Sequence, residues 1–118
     1  MANIYDFDRL YRRTLKEVAG SADPHYIKLS KVGAKKFRVL SQVTVENKTN
    51  SYTKLRIGID NGRVFHYIDE LSTIVADELA VSRSDIQLGE GDSFFAELTG
   101  ITTGDELVMT CIGWEKAL

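Results

Sequence analysis

Two histidines, one cysteine and a scatter of loop acids are the groups in this 118-residue chain that could do chemistry. A zinc site needs three or four thiol, imidazole or carboxylate ligands brought together. Neither His25 nor His66 has a thiol or an acid at ligand spacing. His66 alternates with Val64 and Ile68 in a strand-like run, so it reads as a packed or rim residue. Cys111 lies inside a β-rich run rather than at a turn, where a small buried hydrophobe is the ordinary role. An activated nucleophile needs a base beside it and a turn to present it. No such elbow is present, and no glycine loop is built to cradle a phosphate. Gly89-Glu90-Gly91-Asp92 would set two acids against one. The residues predict no enzyme, no cofactor and no metal.

Two binding chemistries remain. The acids Asp60, Asp69, Glu70, Asp85, Glu90, Asp92, Asp105 and Glu106 fall in or beside predicted loops. Adjacent loops could offer such oxygens to calcium, but capping turns is the commoner task of these residues. Tyr52, Phe65, Tyr67 and Trp114 are candidates for an aromatic sugar platform. Trp114 shares a strand face with Val108 and Ile112, which also suits a core or interface position.

The composition narrows the class. The length suits one domain, and a hydrophobic share of 43% is enough for a single core. A formal net charge of −2 gives no bulk attraction to nucleic acid, whose partners are usually basic. One cysteine rules out an intrachain disulfide. Residues 1–20 are charged throughout and have no apolar h-region, so no signal peptide is expected. No run approaches the roughly 20 apolar residues of a membrane span.

Residues 89–114 organise the predicted fold. Phe94, Ala96 and Leu98 alternate with Ser93, Glu97 and Thr99; a loop with Gly100 and Gly104 follows. Then Leu107, Met109 and Cys111 alternate with Val108, Thr110, Ile112 and Trp114. The two runs read as an antiparallel hairpin, the second a central strand covered on both faces. Upstream, residues 25–29 form a short strand and Phe37, Val39, Val43 and Val45 mark a half-buried one. Leu55, Ile57 and Ile59 lead through Asn61-Gly62 into residues 64–68. Asn-Gly between alternating runs predicts a hairpin with a type I′ turn. Residues 72–77 are expected to cross as a loop or one helical turn, with two short strands around residues 82–85. Together these elements predict an all-β, antiparallel β-sandwich, jelly-roll-like, of about eight strands over residues 25–118.

Residues 1–24 are set apart. Phe7, Leu10, Tyr11, Leu15 and Val18 recur at helical spacing, and Asp6 and Gly20 sit where caps belong. The spacing predicts an N-terminal amphipathic helix over residues 6–19, with Arg9, Arg12, Arg13 and Lys16 on its other face. Residues 20–24 would link it to the sandwich. An isolated helix of this length is marginal, so its apolar stripe needs a matching surface. Phe7, Leu10, Tyr11, Arg12, Leu15 and Val18 are the predicted partner-binding residues.

Gly91-Asp92, Phe94, Ala96, Leu98, Gly100, Gly104-Asp105, Leu107 and Gly113-Trp114-Glu115 resemble small β-sandwich virion proteins of tailed bacteriophages. Phe37-Arg38-Val39-Leu40, Asn47 and Leu55-Arg56-Ile57-Gly58-Ile59 extend the resemblance over residues 34–115. It implies a non-enzymatic structural protein of the particle, a head decoration, neck or anchoring subunit. Its partners would be other copies of itself and other virion proteins: capsid, portal or neck, or tail. It would be made in the bacterial host cytoplasm and reside in the virion, with no nucleic-acid or membrane partner. The alternative is a carbohydrate- or receptor-binding sandwich module that uses the loop acids and aromatics.

Overall fold

The computed structural model describes residues 9–118, which form eight β-strands and no helix. They are β1 (Arg9–Val18), β2 (His25–Lys28), β3 (Lys36–Asn47), β4 (Tyr52–Asp60), β5 (Phe65–Ile74), β6 (Ala80–Leu88), β7 (Ser93–Thr99) and β8 (Glu106–Ala117). They make two antiparallel four-stranded sheets, in the order β1-β8-β3-β6 (sheet A) and β2-β7-β4-β5 (sheet B). All connections but the β4–β5 hairpin cross between the sheets, the winding of a jelly roll.

The expected N-terminal helix is instead an edge strand of sheet A. β1 pairs with β8 along its whole length, from Arg9↔Glu115 to Val18↔Glu106. In a strand the predicted stripe splits, because successive side chains point to opposite faces. Tyr11 turns inward and is buried, Leu15 is half-buried, and Leu10, Arg12 and Val18 face solvent. Tertiary pairing overrides the local helical spacing here: β8 would otherwise leave one side of its backbone unpaired. Residues 9–18 therefore lie within the sandwich, not on a detached docking segment. Asp6 and Phe7 lie outside the described residues.

β7 and β8 are not a hairpin. The loop between them carries the chain from sheet B to sheet A, so each becomes a central strand of its own sheet. β7 lies between β2 and β4, and β8 between β1 and β3. Only one face of β8 is covered. Leu107, Met109 and Cys111 are fully buried, whereas Val108, Thr110 and Trp114 are half-buried and Ile112 is exposed. The β4–β5 hairpin forms as expected, but its loop has four residues, 61–64, rather than a two-residue I′ turn. The Asn61 side-chain oxygen accepts from the Arg63 and Val64 amides at 2.9 Å each. Gly62 alone of the four takes a positive φ, 93°. Residues 80–88 are one continuous strand, and β5 runs on to Ile74 where a loop was expected.

The core fills the space between the sheets. Leu40, Val43, Val45, Met109 and Cys111 from sheet A meet Ile27, Leu55, Phe94, Ala96 and Leu98 from sheet B. Each large side chain here stabilises by roughly 1.5–3 kcal/mol over an exposed one. At one end a buried carboxylate ties the β7–β8 loop to the β3–β4 connection. Asp105 accepts from Asn47 Nδ2 at 2.8 Å, Asn50 Nδ2 at 2.6 Å and the Thr102 amide at 2.8 Å. Burial alone would raise its pKa, but these bonds favour the charged form and hold it below the usual carboxylate value.

Candidate functional site

The predicted chemical groups do not converge. His25 Nε2 sits 2.7 Å from Glu17 Oε1, and His66 Nε2 lies 3.1 Å from the Asn61 amide nitrogen. Cys111 is fully buried, and burial pushes its thiol up to about 12 despite the opposing pull of Arg38. A thiol reagent should leave Cys111 unlabelled in the native protein and label it in denaturant; rapid native labelling would mean that β8 opens readily.

Of the predicted loop acids, Glu90, Asp92 and Asp105 lie between strands, Asp60 and Glu106 at strand ends, and Asp69, Glu70 and Asp85 within β5 and β6. Asp60 bonds the Gly62 amide and Lys28, Asp92 caps the Gly89 amide, and Glu90 accepts from the Lys35 amide. Among the described residues no group of three or more His, Cys, Asp or Glu side chains could hold a metal ion.

The predicted aromatic platform is only half assembled. Tyr52 is buried in the core and Trp114 packs near Phe37 on the other sheet. Phe65 and Tyr67 do come together, on the outer face of sheet B, with Tyr26 and Phe95. Most of these rings meet edge to face, and the Arg56 guanidinium lies 3.5 Å from the Tyr67 ring centre. The Tyr67 hydroxyl donates to Glu97 at 2.7 Å. That bond, with burial and the carboxylate's charge, pushes the phenol up to about 12. The rings cover one another and the buried Glu97 and Phe95, so they form a second small core rather than a flat stacking surface.

The predicted partner-binding set also divides. Leu10, Arg12 and Val18 stand exposed on β1 and Leu15 is half-buried. Tyr11 is enclosed, its ring centre 4.2 Å from the Arg38 guanidinium. Burial raises the Tyr11 phenol, and the positive charges of Arg38 and Arg13 only partly oppose it.

The feature that local spacing missed is the open side of the sandwich between β5 and β6. Among the described residues β5 has a neighbour on one side only, and residues 66–73 are all exposed. Leu71 pairs with Leu55 and Asp69 with Ile57, both core residues, so Leu71 and Asp69 point toward the interior. Leu71 nonetheless stays 42% exposed. The cause lies on β6, whose inward residues at this level are the small Ala80 and Ser82, paired with Val45 and Val43. They leave a slot of about 20 Å³, lined by Val43, Val45, Leu55, Ile57, Leu71 and Ala80 among others. Little more than one water fits such a volume, far below a small-molecule pocket. Val81, 40% exposed, also lines the slot, and Ile68, Val75 and Leu79 are exposed on β5 and on the connection that leads to β6. The sequence pointed elsewhere: Leu71, Ile74, Val75 and Leu79 fit helical spacing, yet residues 71–74 belong to β5.

No protein-family model matches this chain, and no curated protein matches it. It is similar to a solved structure from the disulfide-linked pili of Bacillus endospore appendages, with 10% identity, a TM-score of 0.51, and coverage of 93% of this chain and 88% of that one. It is also similar to the pentamer-forming, histone-binding NLP core of Drosophila, at 18% identity, TM-score 0.47, covering 92% and 98% of the two chains. The C-terminal domain of the sugar-binding protein EclA matches at 12% identity and TM-score 0.48, covering 86% and 78%. The first likeness supports the two-sheet fold; none of the three bears on what this chain binds.

Proposed function

We propose that this chain is a non-enzymatic assembly subunit that acts by protein–protein contact through its open β5/β6 edge, as a head-decoration, neck or anchoring component of a tailed-phage particle. The observation that carries the reading is the set of exposed apolar side chains on β5, β6 and the connection between them: Ile68, Leu71, Val75, Leu79 and Val81, of which Leu71 and Val81 line the slot. Exposed apolar groups beside a strand with an open edge favour a partner over solvent. The placement on a particle rests on the sequence resemblance in residues 34–115, and its partners there would be other virion proteins and further copies of the chain. In purified particles the wild-type chain is expected in stoichiometric amount. Leu71→Lys should fold with at most a modest drop in melting temperature, because from a site 42% exposed the longer side chain can carry its charge out to water, yet fall in the particles by about tenfold or more, the cost of roughly 1.4 kcal/mol of contact. Incorporation of the variant at the wild-type level would overturn the reading.

A further inference from the structure

The two open sides of the sandwich differ in charge. On one side β1 presents Arg12, Arg13 and Lys16, all exposed. On the other, β5 and the turn after it present Asp69, Glu70, Asp77 and Glu78, also exposed. β1 and β5 have the same length, 10 residues, and among the described residues each has one backbone side without a strand neighbour. A strand laid along either edge would satisfy those amides and carbonyls. Pairing β1 with β1 would set basic rows against each other, and β5 with β5 acidic rows. Like charges placed opposite cost several kcal/mol across an interface, whereas the mixed pairing attracts. Leu10 and Val18, at 68% and 69% exposure, give β1 apolar side chains to set against Ile68 and Leu71.

We propose that the open β5 edge receives the β1 edge of a second copy of this chain, head to tail, so that sheet A of one copy continues into sheet B of the next. This rests on reading the β5/β6 side as the docking surface and names its occupant. A contact between two different patches repeats without using itself up, and it yields a ring or a filament according to the rotation per copy.

Charge reversal on the purified full-length chain tests this by sedimentation. The wild type should associate as its concentration rises. Arg13→Glu with Lys16→Glu should weaken association by about tenfold or more, and so should Asp69→Lys with Glu70→Lys. A one-to-one mixture of the two variants should associate again, because each then offers the edge the other needs. A mixture that stays monomeric while each variant melts like the wild type overturns the proposal. So does a wild-type chain that stays monomeric at its highest soluble concentration. If that monomer still depends on Leu71 to enter particles, the docking edge stands and its occupant is a different virion protein.

Discussion

Gly113→Val should cost about 3 kcal/mol or more and leave little folded protein, since a domain of this size has only about 5–15 kcal/mol to lose. Gly113 sits in the middle of β8 between Tyr11 on β1 and Leu40 on β3. At this level β3 carries a bulge between Leu40 and Gln42, which brings its backbone against β8. A Cβ on Gly113 would overlap the Val39 carbonyl oxygen and lie 2.9 Å from the Leu40 Cα. Both obstacles are backbone, so no rotamer change relieves them. The clash begins at Cβ, and Gly113→Ala should therefore destabilise too. Gly20→Ala is the matched control, because a Cβ there meets nothing within 4 Å. Equilibrium urea unfolding measures all three. A Gly113→Ala midpoint equal to the wild type would mean that β3 yields at its bulge.

Arg38→Ala should cost about 3–5 kcal/mol near neutral pH, the usual penalty for stranding a buried charge. Glu115 points into the sandwich with its side chain 3% exposed. Its Oε2 accepts from Arg38 Nε at 2.9 Å, and its Oε1 from Arg9 at 3.0 and 2.6 Å. Arg9 is 59% exposed and cannot replace the buried partner. Burial alone would raise the Glu115 pKa; the hydrogen bonds and charges of Arg9 and Arg38 outweigh it and hold the carboxyl below its ordinary value. A depressed folded pKa stabilises above the unfolded value of about 4.3, and that contribution is lost as pH falls through the folded pKa. Asp105 has the same sign. The wild type should therefore lose stability below about pH 4. In Arg38→Ala burial is no longer outweighed, so the Glu115 pKa rises and protonation relieves the stranded charge. The gap between variant and wild type should then narrow on acidification. A gap that stays constant from pH 7 to pH 4 would mean that Glu115 is not the group left exposed to the penalty. Arg38→Met with Glu115→Leu should recover much of the loss.

The period-two runs in β3, β4, β7 and β8 were readable because one face of each meets the core. The N-terminal strand was not. Tyr11 and Leu15 are four residues apart and Leu10 and Val18 eight, spacings that fall in phase for a helix and for a strand alike. What decides between them is β8, about a hundred residues away in the chain. The loop after Thr99 posed a related problem: a six-residue connection serves a hairpin or a step between sheets about 10 Å apart equally well. The aromatic pair Phe65 and Tyr67 was legible from alternation, though not its contacts with Tyr26 and Arg56 from other strands. The open edge was hidden for two reasons. The β5 bulge between its pairings with Ile57 and Gly58 shifts the phase of Ile68 and Leu71. The slot itself comes from small residues on β6, which no local pattern in β5 reveals.

The placement of β7 and β8 at the centres of their sheets also sets the order in which the chain can fold. Among the described residues β1 pairs only with β8, and β2 only with β7. The Arg9–Glu115 bond spans 106 residues of sequence. During synthesis, strands β1 and β2 wait without these partners until residues 93–117 emerge. Contacts this distant in sequence carry a large loop-closure cost before they return any stability, and such topologies fold slowly. Nascent copies that crowd together before β8 emerges would expose the same strand edges to one another, which favours misassembly.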